Sequence, residues 1–285
     1  KGEFLLAYFD AKRPHASLNT PKGIKKIELK QRYGLEERAN SDFIQYIVNL
    51  KADRSFAKDD GEEDSVQKID EWFEQLENQL KSLFAEPTLK LQFDRKSYNF
   101  NIVIDNHEPF NLNQLSDGYS AIINIVTELL LRMESHNAKS YDLEGVVLID
   151  EIETHLHVEL QKRVMPFLTD FFPKTQFIVT THSPFVLSSI PNATVCDLET
   201  RTITADLSAY SYDALLESYF MTDKYSGTVK SKIEEYDSLI SKQEKTIEDI
   251  ENIKYLHDYF AHAPKYLSKE LLIKLQQIEL SNLNN

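Results

Sequence analysis

Cysteine occurs once in the 285 residues, as Cys196. A single thiol excludes an internal disulfide framework and any zinc site built from several thiolates. Glycine is scarce too: the 7 present are too dispersed to build a phosphate-cradling loop, and no GxxxxGK[ST] occurs anywhere. No apolar run approaches the ~18 residues that span a bilayer. The opening KGEFLLAYFDAKRPH has no apolar signal core ending in small residues, so a reducing, cytoplasmic location is expected. Positive charge is not in excess either. With 32 basic against 46 acidic side chains the net charge is −14, which argues against coating nucleic acid by charge alone, because counterion release needs clustered Lys and Arg. A local basic patch stays open.

What the chain does have is core-forming material. Hydrophobic residues make up 41% and aromatic residues 11%, which excludes wholesale disorder. At roughly 150 residues per domain the length predicts two domains, or one with an insertion. The first residue is Lys1 rather than Met, so the chain is expected to be part of a longer polypeptide.

Periodicity then orders the chain. EFLLAYF at 3–9 reads as a strand, and 10–40, punctuated by Pro14, Pro21, Gly23 and Gly34, as loops around short elements. From Asp42 a helical pattern begins with Phe43, Ile44, Ile47, Val48 and Leu50, and the acidic AKDDGEED at 57–64 breaks it. Val66, Ile69, Phe73, Leu76, Leu80 and Leu83 recur at three and four residues, an amphipathic helix ending before Pro87. LKLQF at 89–93 and YNFNIVI at 98–104 predict a β-hairpin. A helix with a broad apolar face follows over 117–135. GVVLID at 145–150 and TQFIVTTHS at 175–183 read as buried parallel strands joined by a helix over 158–172, one βαβ unit. Runs at 194–198 and 201–206 suggest a second hairpin. In the helical remainder, spacing from Val229 to Ile250 predicts one helix, with Gln243 in a slot of its apolar seam, and Leu271, Leu272, Leu275, Ile278 and Leu283 mark another over 268–283. The pair reads as a helical hairpin on the core or as an arm for oligomerisation or partner docking.

Three segments carry candidate chemistry. LSDGYS at 115–120 precedes a helix; a small hydroxyl and a glycine at a helix N-terminus offer free N–H groups to an anion, and an ordinary N-cap at Ser116 or Asp117 is the plainer alternative. In VVLIDEIETHLH at 146–157, paired acids end a parallel strand where ligands bind in open α/β sheets. Asp150 suits a Mg²⁺ ion and Glu151 a general base, against the plain alternative of solvated acids. In TTHSP at 180–184, His182 would share that sheet edge and reach a phosphate oxygen, or simply cap or pack.

Together these segments resemble the second half of an ATPase of the ABC and SMC superfamily. LSDGYS is similar to the signature loop, with Leu115, Ser116 and Gly118 in place and Asp117 replacing the usual first glycine. VVLIDE resembles Walker B with its catalytic glutamate. ETHLHVELQ at 153–161 is similar to the segment that follows in RecF-like and overcoming-lysogenisation-like ATPases, where proline commonly stands in place of Val158, and THSPFVLSS resembles their switch-histidine motif. The likeness is specific over 110–190 and looser elsewhere.

The resemblance implies a P-loop α/β ATPase head, incomplete at its N-terminus, with a β-hairpin and helical insertion and a C-terminal helical arm. It implies ATP and Mg²⁺ as cofactors, Asp150 on the metal, Glu151 activating water and His182 sensing the γ-phosphate. Leu115, Ser116, Asp117 and Gly118 would meet nucleotide held by another protomer of a homodimer or higher homo-oligomer, with His155 and His157 near that interface. The layout is expected to divide into a lobe remnant at 1–108, an ATPase core at 109–206 and a helical region at 207–285. Beyond 190 no DxD pair occurs, so a Toprim nuclease is not expected. The layout is most similar to stand-alone ATPases of Septu-type or retron-associated anti-phage defence systems, which implies a separate nuclease effector of HNH type and contact with DNA or RNA. Rival readings are a degenerate ATPase using only a partner's phosphate loop, a RecF-like repair ATPase, a non-hydrolysing DNA-clamp scaffold, and a metal-dependent hydrolase using His155, His157, His182 and Asp150.

Overall fold

Alternation sets the first strand. In β1 (Leu5–Phe9), Leu5, Ala7 and Phe9 are buried and Leu6 and Tyr8 are exposed, the period-two pattern of a strand with one covered face. The computed structural model describes residues 4–12, 18–30, 32–34, 37–136, 143–215, 227–262 and 265–283. Lys1, Glu3, Pro14 and the Leu283 side chain, which the sequence reading invoked, lie outside them. Parallel pairing joins β1 to β5 (Gly145–Ile149) and β5 to β6 (Thr175–Val179), in the order β1-β5-β6. The step from β5 to β6 runs through α4 (Val158–Phe171), the crossover that parallel strands require. Only glycine fits at Gly145, where a Cβ would lie 2.6 Å from Leu5 Cβ and 2.7 Å from Leu5 O.

One expectation about this sheet is corrected. The apolar runs of β5 and β6 predict strands buried on both faces, yet Leu148 is 37% exposed and Ile178 49% exposed. Register places them beside Tyr8 on one side of the sheet, so an apolar face of Leu6, Tyr8, Leu148 and Ile178 stands open. TQFIVTTHS is also shorter as a strand than its pattern suggested: β6 stops at Val179 and the motif residues beyond it form a connecting loop.

The covered face is built on α3 (Asp117–Glu134), which packs on β1 and α4. Leu129, Leu130, Leu131 and Met133 are fully buried, and polar residues on the same helix are buried with them. Those polar groups are paired, as burial demands. Glu128 accepts the Asn40 N–H at 2.9 Å and Arg132 Nε at 2.7 Å; Thr127 Oγ1 donates to Ile123 O at 2.7 Å; Trp72 Nε1 donates to Glu134 Oε1 at 2.9 Å.

Trp72 belongs to an inserted layer: α1 (Phe43–Asp59), α2 (Glu63–Phe84), the antiparallel hairpin β2 (Lys90–Asp94) and β3 (Asn99–Val103), and a short third strand, β4 (Phe110–Asn111), too brief to leave a sequence pattern. Phe73 of α2 stacks on Phe100 of β3 at 5.7 Å. After β6 come α5 (Pro184–Leu187), the antiparallel pair β7 (Thr194–Cys196) and β8 (Ile203–Ala205), and a short α6 (Tyr212–Ala214).

The chain divides into two compact units, Lys1–Tyr212 and Asp213–Asn285. Among its described residues from 227 onward the second contains three helices, α7 (Gly227–Ile240), α8 (Ile247–Ala261) and α9 (Lys265–Leu283), each packed on the other two. This corrects the single helix expected over Val229–Ile250. The chain turns before Thr246, whose hydroxyl accepts the Asp249 N–H at 3.2 Å while Asp249 Oδ2 accepts the Thr246 N–H at 2.9 Å, a reciprocal cap that starts a new helix. The core is Tyr236, Leu239, Leu256, Phe260, Leu271 and Leu275, whereas Ile247 and Ile250 of the supposed seam are 80% and 56% exposed. Among the described residues no helix is long and apolar enough to cross a membrane.

Candidate functional site

The ladder of the parallel sheet continues one step past its strands, and there the first acid appears. The Asp150 N–H donates to Phe9 O at 2.8 Å, and the Thr180 N–H donates to Ile149 O at 3.0 Å. The Thr180 hydroxyl then donates to Asp150 Oδ1 at 2.6 Å and accepts the Glu151 N–H at 2.8 Å. One side chain just past β6 thereby holds both acids at the end of β5. Glu151 pays for its place with φ of 44°, in the left-handed region, a conformation that non-glycine residues occupy at a cost and that concentrates at functional sites. The turn is locked by Ile152 N–H to Thr180 O at 3.1 Å and Thr154 N–H to Glu151 O at 3.0 Å. The Glu151 side chain is left exposed, with the Thr154 hydroxyl 3.4 Å from its Oε2.

The loop after β6 is tied to the same turn. The His182 N–H donates to Glu153 Oε1 at 2.7 Å. Ser183 caps α5, accepting the N–H groups of Phe185 at 3.1 Å and Val186 at 3.3 Å, and its own hydroxyl donates to Gln161 Oε1 at 2.7 Å. Gln161 Nε2 closes the link by donating to Leu156 O at 2.7 Å. Asp150, Glu151 and His182 therefore lie on one edge of the sheet, as their positions after neighbouring parallel strands predict, and His182 is exposed.

The LSDGYS loop lies at the far end of the same turn. Ser116 is the extended N-cap of α3 and its side chain makes no capping bond; Ser116 and Asp117 are exposed and Leu115 is half-buried. Gly118 is buried for a reason internal to the chain. A Cβ there would lie 3.0 Å from Leu160 Cδ1 and 3.1 Å from His155 O, so glycine lets the start of α3 sit against the 155–157 segment. His155, with φ of 69°, and His157 are both exposed, and the His157 ring is 6.4 Å from that of Tyr119 on α3.

These placements bear on metals. Among the described residues no three or more His, Cys, Asp or Glu side chains gather as a ligand set, so the His155, His157, His182 and Asp150 hydrolase reading finds no support. A lone carboxylate with a neighbouring hydroxyl is a hard-oxygen donor set. That suits Mg²⁺, which commonly takes one or two protein carboxylates and fills its other positions with water and phosphate oxygens.

Sequence reasoning missed Thr180, Glu153 and Gln161. The adjacent threonines at the end of β6 were the available signal for the first. The other two act only through contacts between separate loops, which spacing does not display.

The chain matches the family model described as "AAA domain, putative AbiEii toxin, Type IV TA system" over residues 31–188. It is 41% identical over 87 residues to the Septu protein PtuA of Bacillus mycoides (strain KBAB4), covering 30% of this chain and 12% of that protein. It is 38% identical over 97 residues to the Retron Ec83 probable ATPase of Escherichia coli, covering 33% and 18%. With the Retron Vc95 probable ATPase of Vibrio cholerae serotype O1 biovar El Tor it shares 26% identity over 168 residues, covering 54% and 33%. The chain thus spans at most about a third of the length of these three relatives. A solved chain from work on ATP-driven dimerization and DNA-stimulated activation of SMC ATPases aligns at a TM-score of 0.36 and 13% identity, over 55% of this chain and 93% of the other.

Proposed function

Because the chain belongs to this AAA-domain family of the AbiEii type, we propose that it forms the second half of an ATP-hydrolysing head in a bacterial anti-phage defence complex. The observation that carries the reading is the Thr180 bridge, which sets two consecutive acids at the end of β5 and joins them to the His182 loop. Residues 109–206 are the catalytic core of that head. The phosphate-cradling loop comes from outside these 285 residues, since none is present in them. The open apolar face of Leu6, Tyr8, Leu148 and Ile178 is where the part carrying that loop rests, because parallel sheets are normally covered on both faces.

Each residue's part follows from its place. Asp150, seated by Thr180, holds Mg²⁺, and the bound ion supplies neutralisation of charge on the transferring phosphoryl group. Glu151 takes the proton of the attacking water, a contribution on the order of 10²–10⁴-fold. Its strained backbone carries the carboxylate out of the sheet edge into solvent reach. His182 hydrogen-bonds the γ-phosphate and reports its presence to the loop that Glu153 and Ser183 hold. Leu115, Ser116, Asp117 and Gly118 present the start of α3 to nucleotide on a second protomer: the Ser116 hydroxyl is not committed to capping, and the first N–H groups of a helix favour an anion. His155 and His157, exposed beside that loop, lie in the same interface. Hydrolysis opens the dimer and gates a separate nuclease of HNH type acting on DNA or RNA in the cytoplasm.

The test is the oligomeric state of the full-length polypeptide by light scattering with Mg²⁺ and ATP. Glu151→Gln should dimerise with ATP and persist as a dimer, whereas Ser116→Arg should stay monomeric. A dimer that ignores both ATP and the Ser116 substitution favours a scaffold instead.

A further inference from the structure

We propose that Glu153 is a positioning residue for His182, holding the backbone of the switch loop in the register that hydrolysis requires; this rests on the ATPase reading above. Glu153 stands two residues beyond Glu151, yet its side chain turns to the other strand. Oε1 accepts the His182 N–H at 2.7 Å, a bond strengthened by the carboxylate charge. The second oxygen, Oε2, is buried with no hydrogen-bond partner. A buried carboxylate oxygen left unsatisfied is a poor stabilising device, so stability does not explain a glutamate here. The contact explains it better. Residues 180–183 have no regular structure of their own between β6 and α5; Thr180 and Ser183 are anchored by bonds of their own, and the Glu153 carboxylate fixes the His182 backbone between them. A displacement of about 1 Å at a reacting group is enough to cost on the order of 10²-fold in rate.

The arrangement also couples two groups with different tasks. The turn that carries Glu151 and the loop that carries His182 are joined by the Thr180 hydroxyl at their start and by the Glu153 carboxylate further along. A shift of either is therefore transmitted to the other. Glu153 acts through the backbone of residue 182 and touches no reacting atom.

Three substitutions in the full-length polypeptide, assayed with Mg²⁺-ATP, test this. Glu153→Ala removes the acceptor and should lower kcat on the order of 10²-fold, with KM for ATP little changed. Glu153→Asp keeps the charge, shortens the reach and should be similarly slow. Glu153→Gln keeps a carbonyl for the His182 N–H and should restore most of the rate. Added to His182→Ala, Glu153→Ala should cost nothing further, because groups acting through one another are not additive. A full additive loss, or a Glu153→Gln enzyme as slow as Glu153→Ala, overturns the proposal. Exchange of the His182 amide with deuterium, read by NMR, checks the bond without turnover: it should quicken at least tenfold in Glu153→Ala and Glu153→Asp and not in Glu153→Gln. Unchanged protection overturns the clamp. A wild-type protein that never hydrolyses ATP overturns the ATPase reading and the catalytic role with it, while the amide measurement still decides whether Glu153 holds His182.

Discussion

The two compact units differ in how much irregularity their described residues hold. The described residues of Lys1–Tyr212 include eight left-handed non-glycine residues, and two of these, Glu151 and His155, fall within five consecutive residues together with an unpartnered buried oxygen on Glu153. Among the described residues of Asp213–Asn285 there is no non-glycine residue with positive φ and no buried unpartnered side-chain atom. There α8 is capped by Thr246 and the small core is aliphatic and aromatic. Sequences agree with their folds at every level except where function demands otherwise. The clustering of strained and unsatisfied groups in the 150–157 turn is what the proposed chemistry there accounts for, and the helical unit holds no such cluster among its described residues.

Breaking either side of that contrast gives effects of different kind and size. Phe260 is fully buried in the helical core, and Phe260→Ala should destabilise that unit by about 3–5 kcal/mol, read as faster amide exchange throughout α7–α9 in the full-length protein. Thr180→Val keeps the shape of the side chain and removes the hydroxyl that seats Asp150 and Glu151. It should lower ATP turnover on the order of 10²-fold, with the melting temperature nearly unchanged. If it melts the head instead, the irregular turn is a structural feature and the contrast fails.

Smaller changes sharpen the helical side. Thr246→Ala deletes the cap of α8 and should cost about 1 kcal/mol, seen as faster exchange in the first turn of that helix. Lys242 and the two groups of Thr246 hold the Asp249 carboxyl down at about 2, against an ordinary 3.8. A carboxyl depressed on folding contributes stability that is complete above its unfolded value and disappears as pH falls through its folded one. The contribution should therefore be intact above pH 4 and lost toward pH 2. Helicity of α8 followed by NMR should show that step in the wild type and lack it in Asp249→Asn.

Much of this was legible in the residues. Alternation gave β1, three-and-four spacing gave α2, and two acids after one strand with a histidine after the next put Asp150, Glu151 and His182 on a common edge. What stayed hidden was contact between loops. Thr180 and Glu153 act across the ends of β5 and β6, and nothing in either segment alone reveals the partner. Exposure was hidden as well, because an unbroken apolar run such as GVVLI reads the same whether one face or two are covered. In the helical unit the spacing of isoleucines continued across a chain reversal; the Thr246–Asp249 capping pair was the signal that outranked it.

The measurement that bears most directly on the account is steady-state phosphate release by the full-length polypeptide with Mg²⁺ and ATP, for the wild type and Glu151→Gln side by side. The account predicts release by the wild type and a loss of at least about 100-fold in Glu151→Gln, with ATP still bound. Equal release from both, or none from the wild type, would contradict it.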